Sequence, residues 1–506
     1  MKRSLTAGLA ALLLVACAPS PSEVAPAPAT SESPMGAEGE TALADARFML
    51  DLLAENYAGW PTKTSGPLAN AIRDAEATML REARAAETPT DHFHALFDYV
   101  ETFGDGHMGL SNKIALEARD RPLPGTPTPE DLAQVPPLDD GTVSELVIGN
   151  PPHPVEGLWS IGGDRYVLRV SRHASDPGLF DAVVENTTAD GWSEGDLKAR
   201  FRAMPDGGLI GRYRAGDRSE SGVHAELKAE GALLELTRWG YWQRVGDRAP
   251  DPQMMRRIVP DGLVALETLP DATPWFRLPN FAVESGQVIA RLVEENRALL
   301  EGADRLVLDL RGNGGGSDSS YAPLLPFVVD DSFETVGAEI LVTDRNLAAF
   351  EANATELEPD NPELAATIRA IVADIDARVD GRRGVFAPMY AETSTLTNVV
   401  PAPGARRVAV LIDGAGSSGE QFILDVKDAP NVTLFGHDNS AGVLDFSNMI
   451  STPLPSGRFD LRWATSRSLR LPENGIDDGG IAPDVRFGDE VDDPVMAAND
   501  WLKANP

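Results

Sequence analysis

The sequence predicts an α/β protein in which a helical cap and a small, mainly β domain precede a core of alternating strands and helices. Three features carry that prediction: helix-spaced apolar residues from Leu43 to about Leu110, short alternating runs broken by Gly and Asp from about 143 to 248, and strand and helix patterns that alternate from about 255 to 500. At 506 residues the chain is too long for one core. Its formal net charge of -34 repels phosphate backbones, so nucleic acid is not an expected partner.

The N-terminus comes first. Met1-Lys2-Arg3 followed by the apolar stretch from Leu5 to Ala16 reads as a signal peptide, because the stretch is too short to span about 30 Å of hydrocarbon. It ends in Leu14-Val15-Ala16-Cys17, and Cys17 is the only cysteine, so no internal disulfide can form. This stretch (1–17) resembles the lipobox of bacterial lipoproteins, in which the cysteine becomes the lipidated first residue. An ordinary signal peptide with an incidental cysteine is the alternative. The resemblance implies an exported protein held at the outer membrane by lipid and facing the periplasm. Residues 18–41 are rich in Pro, Ala, Ser and Glu with almost nothing to bury, and are expected to be a disordered tether.

Residues 42–118 form the expected cap. Phe48, Met49, Leu52 and Leu53 recur at helix spacing, and two more amphipathic runs follow, Leu68 to Ala85 and Pro89 to Phe103. Six prolines between 119 and 142 exclude a long helix or a central strand there, so a linker is expected. Runs such as TVSELVI, RYVLRV, LIGRYR and ALLELTRW make 143–254 a β domain whose role the sequence does not reveal. In 255–506 the expected strands are Leu306–Leu310, Val408–Ile412 and Val432–Phe435, and the expected helices are Val283–Leu300, Pro362–Val379 and Glu420–Val426.

Two strand ends of this core carry glycine turns. LVLDLRGNGGGSDSS (Leu306 to Ser320) runs a buried strand into consecutive glycines, which let backbone N–H groups face an anion or a developing oxyanion. The spacing fits neither a dinucleotide fingerprint nor a phosphate-binding P-loop. GAGSSGEQF (Gly414 to Phe422) places Ser417 and Ser418 where a strand turns into a helix, and there a serine either caps the helix or stands exposed as a nucleophile. A serine nucleophile needs a base. His107 lies in the glycine-bordered loop Phe103-Gly-Asp-Gly-His-Met-Gly109, whereas His92 and His94 sit on a helical pattern and His437 follows a strand. No metal or other cofactor is expected, since the His92/His94 pair has no further ligand signal.

Together, DLRGNGGG, LIDGAGSSGE, FGHDNSAGVLDFSN and GIAPDV resemble the C-terminal processing, or tail-specific, serine peptidases, whose core has the crotonase-like ββα fold. The resemblance covers about 43–118 and 255–490. It implies Ser417, three residues before Glu420, as nucleophile, with oxyanion donors from Ser418 and from Gly315 with its neighbour Gly316. The lysine used as base by one branch of the family is replaced here by Gly442, and Lys427 lies about 15 Å along the helix from Ser417. Asp105-Gly106-His107 instead is similar to the base loop of the tricorn core protease branch. That branch implies an acid near GGIAPDV, which selects Asp477, with Glu473 as runner-up. The expected activity is hydrolysis of unfolded or C-terminally exposed polypeptides by a Ser-His-acid triad. Hydrolysis of non-peptide esters or amides, or a binding lipoprotein that has kept only the scaffold, are the alternatives.

Overall fold

A computed structural model describes residues 35–114, 116, 126–138, 151–163, 165–247, 249–260, 262–329, 332–359, 361–390, 393–404, 406–477 and 479–505. The signal peptide, Cys17 and most of the expected tether therefore lie outside the described residues.

The cap consists of three long helices, Ala37–Asn56, Ala69–Ala85 and Pro89–Glu101, with a short turn of helix at Trp60–Lys63. Its first helix begins at Ala37, inside the stretch expected to be tether. The reason is local: Glu38 pairs with Arg458 at 2.6 Å and with His92 at 3.0 Å, which pins the first turn to the body. The third helix starts on a full capping box, Thr88 and Asp91 exchanging hydrogen bonds around Pro89. The apolar faces of these helices close over the strands Phe446–Pro453 and Phe459–Ser468 near the far end of the chain, sharing one core with Phe446, Phe459, Leu461 and Trp463. That packing carries the loop after Glu101 onto the C-terminal half.

The expected linker is in part a docked strap. Pro129–Leu132 is a capped helical turn, and Arg200, Arg202, Arg212 and Arg214 donate hydrogen bonds to the carbonyls of Pro137, Gln134, Val135 and Leu138. Prolines keep their carbonyls free, so a proline-rich stretch is well suited to guanidinium donors. The β domain is a closed antiparallel barrel of eight strands, from Gly157–Ile161 round to Gly240–Arg244, in which Trp159 pairs with Arg244 to shut the ring. Its packed interior includes Trp159, Phe180, Phe201 and Trp242. Lys198 is buried there with its ammonium 3.8 Å from the Trp192 ring centre and 4.1 Å from that of Tyr166, and burial pushes it down to about 8.

The core is built on a six-stranded sheet. Pro274–Arg277, Arg305–Asp309, Arg407–Leu411, Val432–Gly436 and Val485–Arg486 run parallel in that spatial order, with Ala265–Thr268 antiparallel at one edge. The three expected strands thus each pair on both sides, and their largely apolar sequences are explained by burial on both faces. Leu306, Leu308, Val408 and Val410 face one core with Phe422 and Ile423, while Val307, Ala409 and Leu411 face the terminal helix Pro494–Ala504. Of the expected helices, Val283–Leu300 is interrupted at Asn296, where the backbone leaves helical geometry, and Pro362–Arg378 and Ser418–Val426 form as expected to within two residues. The architecture is mixed α/β.

Candidate active site

Parallel strands place their C-terminal ends side by side, so the glycine loop after Arg305–Asp309 and the serine turn after Arg407–Leu411 emerge together. Asn313 ties them. It is fully buried; its Nδ2 donates to the Leu278 carbonyl at 2.6 Å, its Oδ1 accepts from Gly315 N–H at 2.8 Å, and its carbonyl accepts from Gly416 N–H at 2.8 Å. Nothing in the sequence singles out this asparagine beyond its place among glycines.

Ser417 has φ 55° and ψ −123°, a conformation that costs a non-glycine residue about 1–3 kcal/mol. Its side chain makes no capping hydrogen bond to the helix Ser418–Val426. The capping alternative is thereby overturned. The neighbouring Ser418 turns its hydroxyl away, donating to the Gly316 carbonyl at 3.0 Å. Glu420, which the same alternative would make the partner of a cap, instead accepts from Ser440 Oγ at 2.6 Å, from Gly442 N–H at 2.7 Å and from Val443 N–H at 2.9 Å. It is fully buried, so Glu420→Ala is expected to strand three donors and cost about 3 kcal/mol, read as a lowered denaturant midpoint at unchanged slope.

Through Glu420 the loop Ser440–Val443 is held against the serine turn. A Cβ at Gly442, where φ is 70°, would lie 2.8 Å from Gly480 N and 3.0 Å from the Asp477 and Ile476 carbonyls. The place of the other branch's lysine is closed. Lys427 is no substitute, since its ammonium sits 2.9 Å from Asp428 at the far end of the helix.

His107 arrives from the cap. Val443 stands between the two turns: a Cβ on Gly106 would come within 2.3 Å of Val443 Cγ1, and one on Gly416 within 3.0 Å of Val443 Cγ2. The residues preceding His107 and Ser417 therefore flank one isopropyl group. His107 is buried, its N–H donating to Asp105 Oδ1 at 2.8 Å and its Nδ1 lying 2.5 Å from the Phe446 carbonyl. A carbonyl can only accept, so Nδ1 carries the proton and Nε2 is left with a free lone pair. His437 has no part in this, being held by the Val491 carbonyl at 2.9 Å near Asp413.

The acid differs from expectation. Asp477 was expected to fix the imidazole tautomer, but the Phe446 carbonyl occupies that position because strand Phe446–Pro453 starts beside the ring. Asp477 instead accepts from Asp445 N–H at 2.7 Å and returns its own N–H to Asp445 Oδ2 at 2.9 Å, while its second oxygen is buried with no partner. Burial, with the charges of Asp445 and Asp105 close by, pushes this carboxyl up to about 8. Glu473 is exposed and turned to solvent. Because the folded state keeps a proton on Asp477 that the unfolded chain loses near 3.8, folding is penalised as pH rises from there toward 8. Asp477→Asn, which keeps the acceptor for Asp445, is expected to gain up to about 5 kcal/mol over wild type at pH 9 relative to pH 4, seen as a melting-temperature difference that widens with pH. The same variant is expected to keep turnover at pH 7 within about tenfold, where loss of a tautomer-fixing carboxylate would cost about 10⁴-fold.

Of the expected oxyanion donors, Gly315 faces the serine, with a Cβ there reaching 2.5 Å from Ser417 Cβ, but its N–H is already given to Asn313. Gly316 follows with its backbone against Phe281.

Residues 275–487 match the sequence profile of peptidase family S41. The matched segment holds both glycine turns, Val443 and Asp477, whereas His107 lies outside it. No curated protein matches the chain significantly. Among solved structures it is similar to mature CPAF complexed with lactacystin, with TM-score 0.50 and 14% identity over 93% of this chain and 98% of that one. It is also similar to the photosystem II D1 C-terminal processing protease, with TM-score 0.33 and 14% identity over 90% and 94% of the two chains. A third is an S41 protease from Bacteroides fragilis, with TM-score 0.36 and 12% identity over 91% and 97%.

Proposed function

We propose that the protein hydrolyses internal peptide bonds of unfolded or C-terminally exposed polypeptides, using Ser417 as nucleophile and His107 as base on a crotonase-like core. The observation that carries the reading is the Val443 side chain held between Gly106 and Gly416, which sets the base loop beside the strained serine turn. Ser417 Oγ attacks the scissile carbonyl while Nε2 of His107 takes its proton; the imidazolium then returns that proton to the departing amine, and water repeats the sequence on the acyl-enzyme. The Phe446 carbonyl supports the charged ring as a neutral acceptor in place of a carboxylate. The amides of Ser418, at the start of its helix, and of Gly316 are the two donors suited to the developing oxyanion. Asp477 acts as a neighbour that is neutral in the physiological range, not as the third member of an ionised triad.

Cys17 is proposed as the lipid anchor that holds the body at the outer membrane on its periplasmic side. The test of the catalytic reading is a fluorophosphonate probe on the intact protein with peptide mapping, run beside cleavage of casein and of a small ester. Labelling at Ser417 with casein cleavage supports the reading; labelling with ester hydrolysis alone favours an esterase, and a folded protein that takes no label sinks it.

A further inference from the structure

We propose that Tyr57, at the end of the first cap helix, is a positioning residue for His107. Its hydroxyl secures the aspartate that holds the base loop, and its ring backs the residue whose carbonyl fixes the imidazole. This rests on the reading of His107 as base.

The contacts converge on one side chain. Tyr57 is fully buried and donates from its hydroxyl to Asp105 Oδ2 at 2.7 Å, while Asp105 Oδ1 accepts from His107 N–H at 2.8 Å. The same phenol ring lies 6.0 Å from the ring of Phe446, whose carbonyl takes the His107 Nδ1 proton, and meets Phe103 edge-on at 5.7 Å just before the loop. So both hydrogen bonds that orient His107 end on residues that Tyr57 touches, and only Nε2 is left for the serine. The tyrosine is itself anchored. Ala58 N–H donates to the Ala464 carbonyl at 3.0 Å, on the strand paired with that of Phe446. A Cβ at Gly59 would fall 2.2 Å from the Tyr57 hydroxyl, so the chain can turn over the phenol only with glycine there. Cap and core are thereby coupled at the base: a cap that shifts carries Tyr57 away from both supports.

Asp105 faces Tyr57 from the first helix, Lys63 from the next helical turn, His107 in its own loop and Asp477 from the turn before Gly480, which in turn lies against Asp445. Burial raises the Asp105 carboxyl and the Tyr57 hydrogen bond lowers it. Deleting the hydroxyl lets Asp105 take a proton at higher pH, which weakens its hold on His107 N–H from the acid side.

The experiment measures fluorophosphonate labelling of the full chain against probe concentration and pH in wild type, Tyr57→Phe, Asp105→Asn, the double variant and His107→Gln. Tyr57→Phe is expected to lower the maximal labelling rate about tenfold with the half-saturating probe concentration unchanged, and to move the acid limb of the profile to higher pH. Asp105→Asn is expected to slow labelling as well, and the two losses are expected not to add. A wild-type rate and profile in Tyr57→Phe overturns the proposal, as does a fall that appears in half-saturation alone or losses that add. Should Tyr57→Phe fail to fold, a wild-type rate in Asp105→Asn overturns it. Wild-type labelling in His107→Gln overturns the base assignment and the proposal with it, whereas an inert His107→Gln beside an unaffected Tyr57→Phe removes the proposal alone.

Discussion

His107→Ala is expected to lower turnover of a polypeptide by about 10⁴-fold or more in a protein that still folds, with a melting temperature lowered by the loss of a buried ring. The magnitude follows from what the ring does. At neutral pH a serine hydroxyl keeps its proton, so attack without a base must develop charge on an alcohol with nothing placed to take that proton. The backbone contribution of residue 107 survives the substitution, because its N–H continues to donate to Asp105. What is lost is the proton acceptor, together with the packing of a buried ring and one hydrogen bond to the Phe446 carbonyl. Steady-state kinetics on casein, paired with thermal unfolding, read both quantities. A loss of less than about tenfold would move the base elsewhere and leave His107 as packing.

Gly315→Ala is expected to lower activity by more than about 10²-fold and stability by about 2–4 kcal/mol. Two causes act together. The residue has φ 84°, which favours glycine, and its added methyl would lie 2.5 Å from Ser417 Cβ, 2.9 Å from Ser418 N and 3.0 Å from the Gly416 carbonyl. None of these atoms is the tip of a flexible side chain, and Ser417 already sits in a strained conformation with no slack to move. The two turns must separate, which misplaces the nucleophile and pulls Gly416 from Asn313. Gly314→Ala is the control: its added methyl meets nothing within 4 Å, and the same assays are expected to show little change. Equal behaviour of the two variants would mean that the glycine loop is not in register with the serine.

The sequence by itself determined the layout that burial dictates. Helix-spaced apolar residues made the cap, alternating runs made strands that the structure closes into a barrel, and the apolar runs at Leu306–Leu310 and Val408–Ile412 made strands that the structure buries on both faces. Position also located the reactive pair to be tested, since a glycine-bordered serine after a strand and a glycine-bordered histidine after a helix are local patterns. The start of the first helix was not legible, because Glu38 needs Arg458, some 420 residues away, to hold it.

What only the tertiary structure decided is who touches whom around the base. Pattern and resemblance point to an acid for the histidine and offer Asp477. The folded chain puts the Phe446 carbonyl on Nδ1 instead, and a main-chain carbonyl has no signature in a sequence because every residue carries one. It also places Asp477 against Asp445 and Asp105, where burial and two like charges keep it protonated to about pH 8. Tyr57 and Asn313 are invisible for the same reason. Their partners lie 48 and 35 residues away along the chain, and only the packing of cap on core and strand beside strand brings those partners within hydrogen-bond distance.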